Sequence, residues 1–378
     1  CFMQKKQVDY LIIGPAHPYR GGIAETNHEL ALGFKKNGKK VQIWTFTKLY
    51  FNFLFPGKTQ FTNQSAPKNL DIKRVVHAYS PFQWNNIIKK IKILNPKNII
   101  FRYYTPFLAL CYGYLARNIS SKINCIGMVD NWIPHENTFL DSYLSNFFGS
   151  ACSSFVTLSK SVANEIEHNF NKPILKGFHP INEFLPKPIS KNIARKNLNL
   201  SNDLEYILFF GLVRKYKGLD LLIDAFSILH KKNSNAQLLI VGEFYEQKNK
   251  YLRQINKLGL ENKITLYPEF INSIKARDFF CAADCVAQPY RSASQSGVTP
   301  VSYHYGLPIL VTKIDGLSSP IQNDESGVIT EIDSSSIAKG LSKILKPDEN
   351  INYRKKIKSS LPNYSWKKFI QEIINFIE

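Results

Sequence analysis

Short apolar runs alternate with longer amphipathic stretches from one end of this chain to the other. The run at 8–14, VDYLIIG, is apolar throughout its centre, as expected of a parallel strand covered on both faces. The stretch 23–38, IAETNHELALGFKKNG, places Ala24, Leu30, Ala31 and Phe34 at helical spacing, and Gly38 supplies a stop. Further strands are predicted at KVQIWTF, IKRVVHA, NIIFRY, INCIGMV and FVTL, with helices near 84–94, 107–117, 138–149 and 159–169.

The pattern fails across 177–192, GFHPINEFLPKPISKN, where prolines cluster, and it then restarts. YILFFG (206–211) reads as a strand, LDLLIDAFSILHK (219–231) as a helix and AQLLIVG (236–242) as a strand. A helix near 246–258, the strand ITLYP, a helix near 273–282 and the strands CVAQP and PILVT follow, before helical patterns near 335–346 and 365–377. Two doubly wound α/β domains joined by a linker account for this order. Their expected bounds are 1–180 and 201–362, with a linker at 181–200 and a separate closing helix at 363–378. In such sheets ligands lie beyond the carboxyl ends of the strands, so each strand-to-loop junction is a place to look for chemistry.

Composition narrows the class. The chain has 378 residues, 44% hydrophobic and 21% charged, which is enough for two cores and excludes extensive disorder. Its longest apolar runs, such as FLALCYGYLA (107–116), are too short to span a bilayer, and a cytoplasmic protein is expected. Six cysteines lie singly in apolar segments apart from CAADC and read as reduced core thiols. The net charge of +20 is uneven: residues 1–180 carry 22 Lys and Arg against 9 Asp and Glu. That excess suits an anionic surface, with a merely lysine-rich solvated face as the alternative. No basic stretch interleaved with aromatics resembles a nucleic-acid module, and no nucleic-acid partner is expected.

Four junctions could carry chemistry. In GPAHPYRGGIAE (14–25), Gly21 and Gly22 would let a ligand approach a helix N-terminus closely, or simply make a turn. MVDNWIPHENT (128–138) gathers Asp130, His135 and Glu136 on one loop, where a histidine beside a carboxylate can orient a hydroxyl. In FFGLVRKYKGLDLL (209–222) a strand ends in Gly211, and Arg214, Lys215 and Lys217 could neutralise a diphosphate or form a solvated basic turn. The fourth, YRSASQSGVTPVSYHYGLP (290–308), contains no Asp or Glu. Its Ser296, Gly297, Val298 and Thr299 could offer backbone N–H groups to phosphate, and Pro300 suits a first helical turn.

GGIAE, FGLVRKYKGLDLL, LLIVGE, AADCVAQPY and SGVTPVSYHYGLPILVT, in that order, resemble the retaining family-4 glycosyltransferases of GT-B fold. The resemblance extends to YSWKKFIQEIINFI (364–377), which is similar to their closing helix, and it implies that this helix returns to pack on the first domain. It implies a donor nucleotide sugar held mainly by the second domain and an acceptor held mainly by the first. Lys217 matches the family's phosphate-binding lysine. The usual arginine after the strand-end glycine is Leu212 here, so Arg214 is the expected substitute. Gly21 and Gly22 match the glycine-rich loop near the donor phosphates, His135 a loop histidine near the transferred sugar, and Phe270 and Ile271 the region that contacts the base.

The family's paired glutamates, E-x7-E, are missing: the second would fall near Val301, and Gln295 with Tyr303 match the spacing only formally. The variant reads as a substitution of contacts, with the Gln295 amide and the hydroxyls of Ser294 and Ser296 meeting the sugar. The expected activity is therefore retaining transfer from a nucleoside diphosphate sugar to a glycan or lipid-linked hydroxyl. Lys217 and Arg214 would steady the departing diphosphate, and His135 and Glu136 would position sugar or acceptor. With no DxD triplet in the chain, no metal or other cofactor is expected. Peripheral contact with the inner membrane face is the expected location. The alternatives are a catalytically silent GT-B protein that binds nucleotide sugar or glycan, and a sugar-nucleotide epimerase, which the order of the later motifs disfavours.

Overall fold

The computed structural model describes residues 7–49, 60–62, 65–132 and 139–378. The chain forms two compact units, one comprising Cys1–His179 with Trp366–Glu378 and the other Pro180–Ser365.

The first unit begins β1 (Tyr10–Ile13), α1 (Gly22–Lys36), β2 (Val41–Lys48), β3 (Ile72–His77), α2 (Pro81–Leu94) and β4 (Asn98–Tyr103). It continues α3 (Ala109–Asn118), β5 (Asn124–Val129), α4 (Phe139–Ala151), β6 (Ser154–Thr157), α5 (Lys160–Glu167) and β7 (Ile174–Lys176). Its seven strands are all parallel, in the order β3-β2-β1-β4-β5-β6-β7. Alternation along β1 explains the layering. Leu11 and Ile13 enter the core under α2 and α3, while Tyr10 and Ile12 enter the one under α1.

The second unit opens with α6 (Lys191–Asn197), β8 (Glu205–Phe210), α7 (Leu219–His230), β9 (Ala236–Val241) and α8 (Lys248–Lys257). There follow β10 (Ile264–Tyr267), α9 (Ser273–Ala282), β11 (Cys285–Gln288), α10 (Val298–His304), β12 (Ile309–Thr312), α11 (Asp315–Asp324) and β13 (Gly327–Thr330). Two helices, α12 (Ser334–Ile344) and α13 (Pro347–Ser360), complete it. The six parallel strands run β10-β9-β8-β11-β12-β13, again a doubly wound Rossmann-like sheet. Side chains terminate many of its helices: Ser190, Asn272 and Asp333 each accept a backbone N–H three residues on.

The expected linker needs correcting. Residues 191–197 within it form α6, whose Arg195 is buried, donates to the Ala282 carbonyl and pairs with Asp284 at 2.9 Å. Proline density obscured a helix of only seven residues.

The last helix, α14 (Trp366–Ile377), belongs to the first unit. Trp366, Phe369, Ile370 and Ile373 lie in one buried cluster with Tyr10, Leu30 and Phe34. A β-carbon on Gly33 would stand 2.5 Å from Ile370 Cγ1, so α1 keeps a bare backbone where α14 crosses it. No described helix is long and apolar enough to cross a membrane.

Candidate functional site

In the second unit the strand exits converge through glycine. Gly211, with φ +103°, follows β8, and Gly242, with φ +140°, follows β9. A β-carbon on Gly242 would lie 2.1 Å from the Gly211 carbonyl oxygen, so only bare backbone permits this approach. The chain then forms a 3₁₀ turn at Lys215–Lys217 and enters α7 through Gly218, whose φ is +66°. Any β-carbon on Gly218 would collide with the Pro289 carbonyl oxygen at 2.0 Å.

This geometry turns Lys217 inward. Its side chain is buried, with the ammonium 5.4 Å from the centre of the Tyr290 ring. A β-carbon built on Gly211 would lie 3.0 Å from Lys217 Nζ and 3.9 Å from Val298 Cγ2, so the basic turn and the start of α10 meet at one point. Burial pulls the Lys217 pKa below its ordinary value; Tyr216 opposes the shift, and the nearby charge of Arg214 adds to it. Arg214 stacks on Tyr245, 5.0 Å from the ring centre. Leu212, at the position of the family's arginine, is half-buried.

An ion pair staples the 290s segment to this turn. Arg291 grips Asp220 with two hydrogen bonds of 2.8 and 2.7 Å and donates to the Lys215 carbonyl, while its backbone N–H reaches the Tyr216 carbonyl at 2.6 Å. Opposed effects set the Asp220 carboxyl: burial alone would raise its pKa, but the Arg291 hydrogen bond and charge outweigh that and hold it low. Neither residue of this pair was singled out by motif, since they stand 71 positions apart.

Part of the expected phosphate cradle needs correcting. The Val298 N–H donates to Ser296 Oγ at 3.2 Å, and the Thr299 N–H to the Ser296 carbonyl at 3.3 Å. A tight turn at Ser296 spends both donors internally. Thr299 also accepts from Gln288 Nε2 at 3.2 Å. Two amide oxygens, Gln295 Oε1 and Gln288 Oε1, are buried without a hydrogen-bond partner. Glu243 Oε2 is likewise buried and unpartnered, and the Glu243 carbonyl accepts from the Val213 N–H at 2.8 Å. Sequence reading gave Gln288 and Glu243 no role, although each ends a strand or follows a strand-end glycine. Ser294 is buried, with its carbonyl packed against Gly316. Tyr303 is committed elsewhere, its hydroxyl donating to Asp324 Oδ2 at 2.8 Å. Phe270 and Ile271 lie on the β10–α9 loop; Phe270 is 59% exposed, and Ile271 packs into the core under α9.

In the first unit, Gly21, with φ +112°, and Gly22 have open space where a side chain would go. The loop leading to them is held from below. Thr45 Oγ1 accepts from the Ala16 N–H, Asn27 Nδ2 donates to the Pro15 carbonyl, and His28 Nε2 accepts from the His17 N–H. Burial, helped by His17, lowers the His28 pKa to about 4, so the ring is a neutral acceptor. Asp130 is engaged away from its expected group with His135 and Glu136: both its oxygens bind the buried Arg102, at 2.5 and 2.6 Å. His135 and Glu136 lie outside the described residues.

Comparisons with known proteins agree with this architecture. Residues 190–360 match the family model for glycosyl transferases group 1. An uncharacterized glycosyltransferase of Methanocaldococcus jannaschii is 26% identical over 246 residues, 62% of this chain and 61% of that protein. A D-inositol 3-phosphate glycosyltransferase of Segniliparus rotundus is 27% identical over 148 residues, 38% of this chain and 33% of the relative. The match thus spans under two thirds of either relative. Among solved structures, Anabaena HepE in complex with UDP-glucose superposes with a TM-score of 0.73, covering 97% of this chain and 99% of HepE at 14% identity, a likeness of fold. Both units carry the parallel sheets of the GT-B architecture, and the part of the chain similar to the group 1 glycosyl transferases lies within the second.

Proposed function

We propose that this protein transfers a sugar from a nucleoside diphosphate sugar to an acceptor hydroxyl on a glycan or lipid-linked intermediate, with retention at the anomeric carbon and without a metal ion. The observation that carries the reading is the buried ammonium of Lys217, held at the β8 exit beside Val298, where Tyr216 and Arg214, and no carboxylate among the described residues, act on its charge. A buried charge without a counterion is costly. A bound diphosphate relieves that cost, and HepE, of the same fold, holds UDP-glucose.

The chemistry follows from charge development. As the glycosidic C–O bond breaks, the leaving diphosphate gains negative charge. Lys217 and Arg214 bind that charge more tightly in the transition state than before it. The N–H groups of Ser296 and Gly297 add donors, and the Gln295 and Gln288 amide oxygens accept from hydroxyl groups of the donor. The acceptor hydroxyl attacks from the face that the diphosphate vacates and passes its proton to the departing diphosphate oxygen, which yields retention without an enzyme-bound sugar. The proposal takes the cytoplasmic face of a membrane as the place of work, which suits a lipid-linked acceptor.

A thermal-shift series with UDP, GDP, ADP and their sugars tests the reading, followed by transfer assays on whichever sugar binds. Stabilisation by one nucleotide diphosphate that Lys217→Met abolishes is the expected result. Binding with no transfer to any acceptor would leave the silent binding protein in its place.

A further inference from the structure

Between Asp71 and Asp130 the chain has no acidic residue: positions 72–129 hold nine Lys and Arg and no Asp or Glu. The stretch contributes β3, α2, β4, α3 and β5 of the first unit. Three of the nine charges have an acidic partner: Lys73 pairs with Asp71 at 3.8 Å, Lys97 with Asp9 and Arg102 with Asp130. Arg117 stacks on Phe147 and Arg74 donates to strand carbonyls. Lys122 remains on the loop before β5, and Lys89, Lys90 and Lys92 remain on α2, all four exposed.

The outward face of α2 is not simply polar. Trp84, Ile87, Ile88 and Ile91 point into the core. Phe82, Asn86, Lys89 and Ile93 follow one another at helical spacing along the opposite ridge. Phe82 is 94% exposed and Ile93 74%. They are eleven residues apart, about 16 Å along the axis, so a flat surface laid on the helix touches both. Lys90 and Lys92 flank the ridge on either side. Beside it opens an apolar cavity of about 300 Å³ lined by Tyr79, Trp84, Phe107, Leu110 and Leu144, with Leu110 half-exposed at its mouth.

We propose that the α2 face is a docking surface for an anionic lipid bilayer, with Phe82 and Ile93 entering the boundary between headgroups and acyl chains. Lys89, Lys90 and Lys92 lie against the lipid phosphates. Exposed apolar residues in line with cations, on a helix without a carboxylate, form the pattern of an interfacial helix. The lysines keep their ammonium groups at headgroup depth while their methylenes lie lower. Charge complementarity selects anionic lipid, and the aromatic ring with the adjoining cavity favours a bilayer over a soluble polyanion, which offers Phe82 nothing. The proposal adds a specific surface to the membrane location suggested above and does not depend on the donor site.

Vesicle flotation tests it, using the full chain with phosphatidylglycerol–phosphatidylcholine vesicles, phosphatidylcholine vesicles and an oligonucleotide. The expected result is binding to anionic vesicles only, weakened by salt. K89Q/K90Q/K92Q should cut partitioning by about a hundredfold at low salt, given the usual contribution of a lysine near such a surface. F82S/I93S should cut it by about tenfold even at high salt, because burial of the two side chains is not screened. Both variants change solvent-facing positions, and an unaltered melting temperature confirms that they fold. Absence of binding by the unaltered protein at low salt overturns the proposal, as does equal binding by all three proteins. Oligonucleotide binding in place of vesicle binding overturns it, as does a dimer that F82S/I93S dissolves while vesicle binding persists. Nucleotide-induced thermal shifts are read in parallel: their loss from every protein strikes the donor reading alone.

Discussion

The ammonium of Lys217 lies over the bare backbone of Gly211, so close that a β-carbon there would sit 3.0 Å from Nζ. Glycine at the strand exit and lysine two residues into the 3₁₀ turn are therefore one device. Replacing Lys217 with Met keeps the volume and removes the buried charge. The ligand-free variant should be more stable than the parent by about 1–2 kcal/mol at neutral pH. Its turnover should fall by about a hundredfold or more. The lowered pKa fixes the sign of the pH dependence. Above the folded value the native lysine has shed its proton while the unfolded chain still holds it, so the parent gains stability as pH rises and the gap narrows. Denaturant melts from pH 7 to 10 check this, and a gap that widens with pH contradicts it.

Gly218 enters α7 in the left-handed region, against the Pro289 carbonyl. Gly218→Ala combines strain with a backbone collision that no rotamer relieves, and should cost about 2 kcal/mol or more. Gly38→Ala is the control: it too has positive φ, but open space around it, and should cost less. Equal losses in urea titration would remove the special role given to the Gly218–Pro289 approach.

Asp220 is held below the usual carboxylate range against the opposing effect of burial. Its contribution through Arg291 is present above the unfolded carboxyl value and disappears as pH falls through the lower folded value. Asp220→Asn should therefore lower stability by about 1 kcal/mol between pH 5 and 8, a modest figure because the pair is partly exposed. The difference should vanish well below pH 4. A loss that persists at pH 2 would point to packing instead of charge.

Gln295 separates sugar recognition from diphosphate recognition. Its buried, unpartnered Oε1 is assigned to a donor hydroxyl, so Gln295→Ala should weaken the nucleotide sugar by about tenfold and leave the free nucleotide nearly unchanged. Isothermal titration with both ligands compares them. Equal weakening would move Gln295 from the sugar to the fold.

The doubly wound order was legible because strands buried on both faces read as unbroken apolar runs, as Tyr10–Ile13 and Tyr206–Phe210 do. Helices with a thin apolar stripe were not. In α13 only Tyr353, Ile357 and Ser360 are buried, and α11 carries Pro320 in its interior, so neither showed the expected period. Within the site, residue types at strand ends pointed to Lys217 and Gly211, but burial is a tertiary property. A basic turn reads the same whether its lysine faces water or Tyr290. Pairing was equally hidden. Nothing near Asp130 in the chain announces that Arg102, from the neighbouring strand, takes both its oxygens. Nor does the SASQSG segment reveal that Ser296 folds back on the next two N–H groups.

The place of α14 in the first core bears on how the protein is made. Tyr10, Leu30 and Phe34 lack their cover until Trp366–Ile377 leaves the ribosome, after all of Pro180–Ser365 has been translated. At ordinary elongation rates that interval is about ten seconds or more. During it the nascent first unit presents an oily flank that invites chaperones, while the later unit holds all of its own strands and can mature ahead of it.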